Sequence, residues 1–319
     1  MDWIAEDPTS PEGNRLLPGI SMKRVKTYIV RACTEGKSGG SPTGVVLHSF
    51  GLSVKEMQYI ANRSGTSHTA FAYEMPDRSS LVKIRFFTPA GEILNCGHGT
   101  IAAHYVRAIE LNHHPNREFL FQETKEGIQK IEIDFEDHDY QIWLTLEEVK
   151  ITTPSAQITE RLLDALNVSE PDLSSQNSIA MASPGSNRFL VGLKTSDLVN
   201  QVYPNFDQLK KLDAACGCIG CFVYSVDQQD EQLLVTARMF APNIGVYEDA
   251  INGNSSGCLA AFLLKGSTTD SLNMVVRQGQ MLGMNGRVKV KASKVENRIE
   301  VKIGGTVVVD HEIYIQLGS

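Results

Sequence analysis

No stretch of the sequence approaches the roughly 18 consecutive apolar residues a membrane-crossing helix requires, so no such span is expected. Basic charge is also short: 30 Lys and Arg stand against 37 Asp and Glu, a formal net charge of -7. Binding a phosphate backbone needs clustered cations, so nucleic acid is not an expected partner. Six cysteines at irregular spacing in 319 residues do not form a disulfide framework and read as reduced thiols. The first 22 residues are acidic, rich in Pro and Gly, and have neither a basic n-region nor an apolar core, so they read as an N-terminal extension rather than a signal peptide. A cytoplasmic, non-membrane protein is the resulting expectation. Phosphate-binding Gly-rich loops, dinucleotide fingerprints and nucleophile elbows are missing too, so a nucleotide cofactor is not implied.

What is present is a dense series of short strand-like runs, among them "HTAFAYEM", "LVKIRFFT", "YQIWLTLE" and "TVVVDHEIYIQL". Five helix-period segments interrupt them: "VKEMQYIANRS", "TIAAHYVRAIEL", "ITERLLDALN", "FDQLKKLDAA" and "GCLAAFLLKG". Strands without regular βαβ alternation predict an α+β fold.

The chain also resembles itself. "RFFTPAGEILNCGHGTIAAHYV" begins at Arg85 and "RMFAPNIGVYEDAINGNSSGCLAAFLL" at Arg238. Each has an Arg-x-Phe-x-Pro strand end, a turn-rich loop, and a Gly that leads into an Ala-rich helix. Two related lobes, each built around one apolar helix, are expected. Unpaired N–H groups at the two helix starts suit an anion in a cleft between them.

"SGTSHTAF", "RFFTPAGEILNCGHGTIAAH" and "RMFAPNIGVYEDAINGNSSG", in this order and spacing, resemble the phenazine-biosynthesis PhzF-like isomerase family with the diaminopimelate epimerase fold. The resemblance implies two similar lobes, each a β-barrel around a central helix, with an active site in the interdomain cleft. Residues 23–145 would form the first lobe, 146–304 the second, and 305–319 a C-terminal strand returning to the first. It further implies cofactor-free acid/base isomerisation of a small anionic metabolite, with a homodimer as the common assembly.

The family's catalytic Glu lies in a Ser-Glu-Thr-Ala-Phe motif, and here His68 occupies that place. Cys96-Gly97-His98 matches the family's Cys-Gly-His, and Glu248-Asp249-Ala250-Ile251-Asn252-Gly253-Asn254 its second-lobe motif, with Ala250 and Asn252 replacing Pro and Thr. The resemblance thus assigns His68, Asp249 and His98 as catalytic, and Cys96, Gly97, Gly99, Thr100, Gly253, Asn254 and Ser255 as substrate-binding. A two-thiol racemase is disfavoured, because the partner of Cys96 falls at Asn252, which has no proton to exchange. An imidazole titrates near neutrality and can replace a carboxyl group as acid or base. Two alternatives stay open: a cyclisation or rearrangement in the same cleft, or a binding protein that has kept the pocket. The cysteines of "CGCIGC" (Cys216, Cys218, Cys221) lack a second ligand pair and read as buried structural thiols, so no metal is expected. Isolated Arg85, Arg188 and Arg238 are further candidates to face an anion.

Overall fold

The computed structural model describes residues 23–74, 81–112, 114, 116–175, 179–227 and 232–318. The N-terminal extension expected at 1–22 lies outside them. The first half runs β1 (Lys23–Ala32), β2 (Ser41–Val46), α1 (Val54–Arg63), β3 (His68–Glu74), β4 (Leu81–Thr88), β5 (Gly91–Ile93), α2 (Gly97–Leu111), β6 (Glu118–Glu123), β7 (Ile128–Glu136) and β8 (Asp139–Thr145). β9 (Lys150–Thr152) and α3 (Ala156–Leu166) follow. The second half continues with β10 (Ile179–Ser183), β11 (Asn187–Gly192), α4 (Ser196–Gln201), α5 (Phe206–Cys216), β12 (Cys218–Asp227), β13 (Leu233–Ala241), β14 (Val246–Asp249), α6 (Gly253–Lys265), β15 (Ser271–Gln278), β16 (Gly286–Val295), β17 (Arg298–Gly305) and β18 (Val307–Leu317). This is a strand-rich α+β fold with, among the described residues, one mixed, 18-stranded sheet. No described helix is long and apolar enough to cross a membrane.

One pairing scheme occurs twice. β2 runs parallel to β3, β3 antiparallel to β4, and β4 antiparallel to β5 but parallel to β6. In the second half β11, β12, β13, β14 and β15 repeat those relations in the same order. Antiparallel β6–β7–β8 corresponds to β15–β16–β17. β8 and β17 pair with each other, and β18 returns along β1.

Helices α2 and α6 occupy equivalent places in this scheme. They are buried on nearly every side, through Ile101, Ala102, Ala103 and Val106 in one and Leu259, Ala260, Ala261 and Leu264 in the other. A helix apolar all round belongs in a core rather than on a surface. α2 packs on β1, β2, β3 and β8, α6 on β10, β15 and β16, and both touch β17. α1, by contrast, is a one-sided surface helix: Met57, Ile60 and Ala61 face inward, and a Ser53–Glu56 capping box closes its start.

The apolar period predicts helices from Thr100 and Gly257, whereas α2 begins at Gly97 and α6 at Gly253. Both first turns are built of small or polar residues, which carry no hydrophobic period, so periodicity does not reveal them. The sequence reading also misses α4 and the strands β5, β6, β9, β10, β14 and β15. α4 and β5, β9 and β14 hold only three to six residues each.

Candidate active site

α2 and α6 start beside each other because two glycines let Ile303 of β17 sit between them. A methyl group at Gly97 would meet Ile303 Cδ1 at 3.0 Å, and one at Gly253 would meet it at 2.7 Å. The Asn254 side chain turns toward Gly97, and its Oδ1 has no hydrogen-bond partner among the described residues. A cavity of about 290 Å³ opens at this junction, lined by His68, Cys96, Gly97, His98, Arg188, Asp249, Gly253 and Asn254 among others.

β3 carries His68 to the wall of this cavity. Its small neighbours on the same face, Ala70 and Ala72, belong to the core that surrounds α2. The two imidazoles meet edge to face, with ring centroids 4.5 Å apart at 84°. His68 Nδ1 lies 3.2 Å from His98 Nε2 and 3.1 Å from Ser67 Oγ. A hydrogen bond to the Ile251 backbone holds the His98 ring. With Nε2 turned to His68, that bond belongs to Nδ1, whose proton the Ile251 carbonyl accepts. His98 Nε2 is then an acceptor, and His68 Nδ1–H donates to it. Burial pushes both imidazoles down to about 4, so both are neutral at neutral pH. The neighbouring His98 lowers His68 further, and Asp249 opposes the shift.

Cys96 is the N-terminal cap residue of α2, with Sγ 3.4 Å from His98 Nε2. Burial pushes its thiol well above the ordinary range, against a smaller opposing effect of the Gly99 amide. At the other helix Asn252 is the cap: its Oδ1 accepts from the Ser255 amide at 2.9 Å, and its Nδ2 donates to Asp249 Oδ2 at 3.0 Å. Burial raises the Asp249 carboxyl group, while His68 and Asn252 pull it back down.

The cavity therefore gathers His68, His98, Asp249, Cys96, Gly97, Gly253 and Asn254. Gly99, Thr100 and Ser255, also expected to bind substrate, do not line it. Their amides are taken: Gly99 serves the Cys96 sulfur, Thr100 makes the first helical bond to the Cys96 carbonyl, and Ser255 is bound by its cap. Among the described residues no such partner meets the amides of Gly97, His98, Gly253 and Asn254, as the first N–H groups of a helix normally lack one. Sequence reasoning missed the capping role of Asn252. It also missed Asn95, whose Oδ1 accepts from the Cys96 amide at 2.7 Å and whose Nδ2 donates to Glu126 at 2.8 Å. An Asn just before a helical Gly is an ordinary capping signal, so Asn252 could have been suspected, whereas Asn95 stands one residue before the Cys96 cap.

Arg85 and Arg238 do not face the cavity. Each makes a two-pronged ion pair with the returning short strand, Arg85 with Glu92 (2.7 and 2.8 Å) and Arg238 with Glu248 (2.9 and 2.8 Å). Arg188 does line it. The residue is 2 % exposed, its Nη2 donates to the Ser186 carbonyl at 2.7 Å, and its Nη1 reaches Ser255 Oγ at 3.4 Å.

The duplicated α+β fold thus brings the starts of its two central helices to one cavity holding two imidazoles, a thiol and a carboxyl group. The sequence matches the family model described as phenazine biosynthesis-like protein over residues 30–312, and the chain belongs to that family. An uncharacterized isomerase of Clostridium acetobutylicum is 36% identical over 90% of this chain and 97% of its own length. The uncharacterized isomerase YddE of Salmonella typhimurium is 34% identical over 88% and 95%. The crystal structure of a Bacillus anthracis phenazine biosynthesis protein of the PhzF family superimposes with a TM-score of 0.81 at 26% identity, over 93% of this chain and all of that one. A hydroxyproline epimerase from Agrobacterium vitis shares the fold, with a TM-score of 0.60 at 12% identity over 92% and 93%. The chain is an isomerase.

Proposed function

We propose that the chain is a cofactor-independent isomerase that moves a proton, or a double bond with it, within a small carboxylate-bearing metabolite. The observation that carries the reading is the 3.2 Å contact between His68 Nδ1 and His98 Nε2 at the cavity wall, which we read as His68 donating. That tautomer leaves His68 Nε2 with its lone pair, the atom that takes the substrate proton and returns it at another carbon. His98, anchored by Ile251, holds the imidazole in this tautomer and accepts a stronger hydrogen bond as His68 becomes charged. Negative charge that develops on the substrate meets the amides of Gly97, His98, Gly253 and Asn254 at the positive ends of two helices. Asp249, beside His68, offsets the positive charge of the imidazolium.

Arg188 supports the anionic substrate. It is a buried guanidinium that enters no ion pair among the described residues, and its Nε has no partner. An uncompensated buried cation is costly, and a substrate carboxylate in the adjoining cavity supplies the missing charge. We read the two halves, 23–145 and 146–304, as lobes wrapped round α2 and α6, and the protein as a cytoplasmic homodimer. Two imidazoles, a thiol and a carboxyl group converge at the cavity, which favours catalysis over a binding-only role. The test is incubation in deuterium oxide with a panel of small amino and unsaturated carboxylic acids, followed by mass spectrometry. The wild-type protein is expected to introduce solvent deuterium at carbon and His68→Ala to lose that exchange; full turnover by His68→Ala would overturn the assignment of the base.

A further inference from the structure

Among the described residues one group of potential metal ligands gathers, and it is not the cysteine cluster at 216–221. His68, Cys96 and His98 offer ligand atoms that all lie within 4.8 Å of one another. The nitrogen–nitrogen separation is 3.2 Å, and the sulfur lies 3.4 Å from His98 Nε2. A tetrahedral ion with nitrogen ligands at about 2.0–2.1 Å and sulfur at about 2.3 Å sets ligand–ligand edges of about 3.3–3.6 Å. Two of the three separations already match such edges within about 0.2 Å, and the third needs to close by little more than an ångström at most.

The surroundings suit a metal as well. The outer nitrogen of His98 is tied to the Ile251 backbone, the kind of bond that fixes the ring of a metal-binding imidazole and raises its basicity. Ser67 Oγ already donates to the Pro42 carbonyl at 3.0 Å, so it keeps a partner when His68 Nδ1 turns to an ion. A divalent ion bound to one thiolate and two neutral imidazoles carries a net single positive charge. Asp249, at the same cavity, balances it.

We propose that His68 Nδ1, His98 Nε2 and Cys96 Sγ form a binding site for a divalent ion of the zinc class, with the fourth position open to the cavity, and that occupancy switches off proton transfer. Binding removes the Cys96 proton to solvent and moves the His68 proton from Nδ1 to Nε2, so no charge is left unaccounted for. The ion then occupies Nδ1 while Nε2 carries a proton it cannot accept again, and His68 ceases to be a base. Only this inhibitory half rests on the function proposed above. The binding half stands on the three ligands alone.

Titration of the metal-free full chain with Co²⁺, followed by absorption, tests binding without any substrate. The expected result is one ion per chain, with tetrahedral visible bands and a near-ultraviolet thiolate-to-cobalt band. Cys96→Ser should abolish the thiolate band, and His98→Gln should weaken binding at least tenfold. His48→Ala, at an exposed position, should leave both unchanged. Circular dichroism of each variant separates lost ligands from lost fold. No stoichiometric binding, or a thiolate band that survives Cys96→Ser, overturns the site. Stoichiometric Zn²⁺ should suppress deuterium exchange at least tenfold and a chelator should restore it; exchange that Zn²⁺ leaves unchanged or accelerates overturns the inhibitory half. Should the wild-type protein exchange none of the panel, the proposed function fails, and the cobalt spectrum still decides the site.

Discussion

His98 Nε2 accepts from His68 Nδ1 at 3.2 Å, although the two residues lie 30 positions apart on a helix and a strand. The geometry makes them one unit, in which His98 fixes the tautomer that His68 needs. Each of His68→Ala and His98→Ala should therefore slow deuterium exchange by roughly 10²- to 10⁴-fold. The double variant should be little slower than the worse single one, because groups that act as a unit are not additive. Independent, multiplying losses would show that His98 does not work through His68.

The repeated Arg–Glu pairs should not be equal in strength. Arg238 is nearly buried and its Nη1 also donates to the carbonyls of Val199, Asn200 and Val202, so its loss leaves a carboxylate and three acceptors stranded. Arg238→Ala should cost about 3–5 kcal/mol in urea unfolding. Arg85 is more exposed, and Lys125 also reaches Glu92, at 2.6 Å. Arg85→Ala should cost only about 1 kcal/mol, because water and Lys125 continue to solvate Glu92.

The duplication was legible in the sequence because both copies keep Arg-x-Phe-x-Pro before a glycine-led helix. The partners of those arginines were not: Glu92 follows its Arg by 7 residues and Glu248 by 10, the second loop being lengthened by the turn Pro242–Ile244. The family resemblance led to His68, Cys96, Gly97, His98, Asp249, Gly253 and Asn254, all of which line the cavity. It could not tell which amides are free, since that depends on whether a cap or the helix ladder has already taken them. Nor could it single out Arg188, whose burial follows from strand pairing and from the position of Ser255 rather than from its neighbours in sequence.

Asp213 on α5 should leave a signature in the pH dependence of stability. Its side chain is buried, neither carboxylate oxygen has a partner among the described residues, and burial pushes the group up to about 7 from an ordinary 3.8. Between those values the folded state holds a proton that the unfolded state has released. Stability therefore falls as pH rises from about 4 to 7 and levels off above, by linkage. Asp213→Asn removes the titration at nearly constant shape. The variant should melt above wild type at pH 8, and the gap should narrow steadily toward pH 4; a pH-independent gap would show that the carboxyl group titrates normally in the fold.

Gly253 and Ile303 define how close the two helix starts can approach. An Ala at 253 would place its methyl carbon 2.7 Å from Ile303 Cδ1, a separation that forces α6 or β17 to shift. Gly253→Ala alone should cost about 1–3 kcal/mol through overpacking. Ile303→Val alone should cost about 0.5–1.5 kcal/mol, for the lost methylene. Combined, they should cost less than their sum, since shortening Ile303 removes the atom the new methyl group strikes. Exchange activity should follow the same pattern, because the Gly253 and Asn254 amides move with the helix start. A double variant whose stability loss is additive would show that the junction yields elsewhere and that Ile303 does not set the helix spacing.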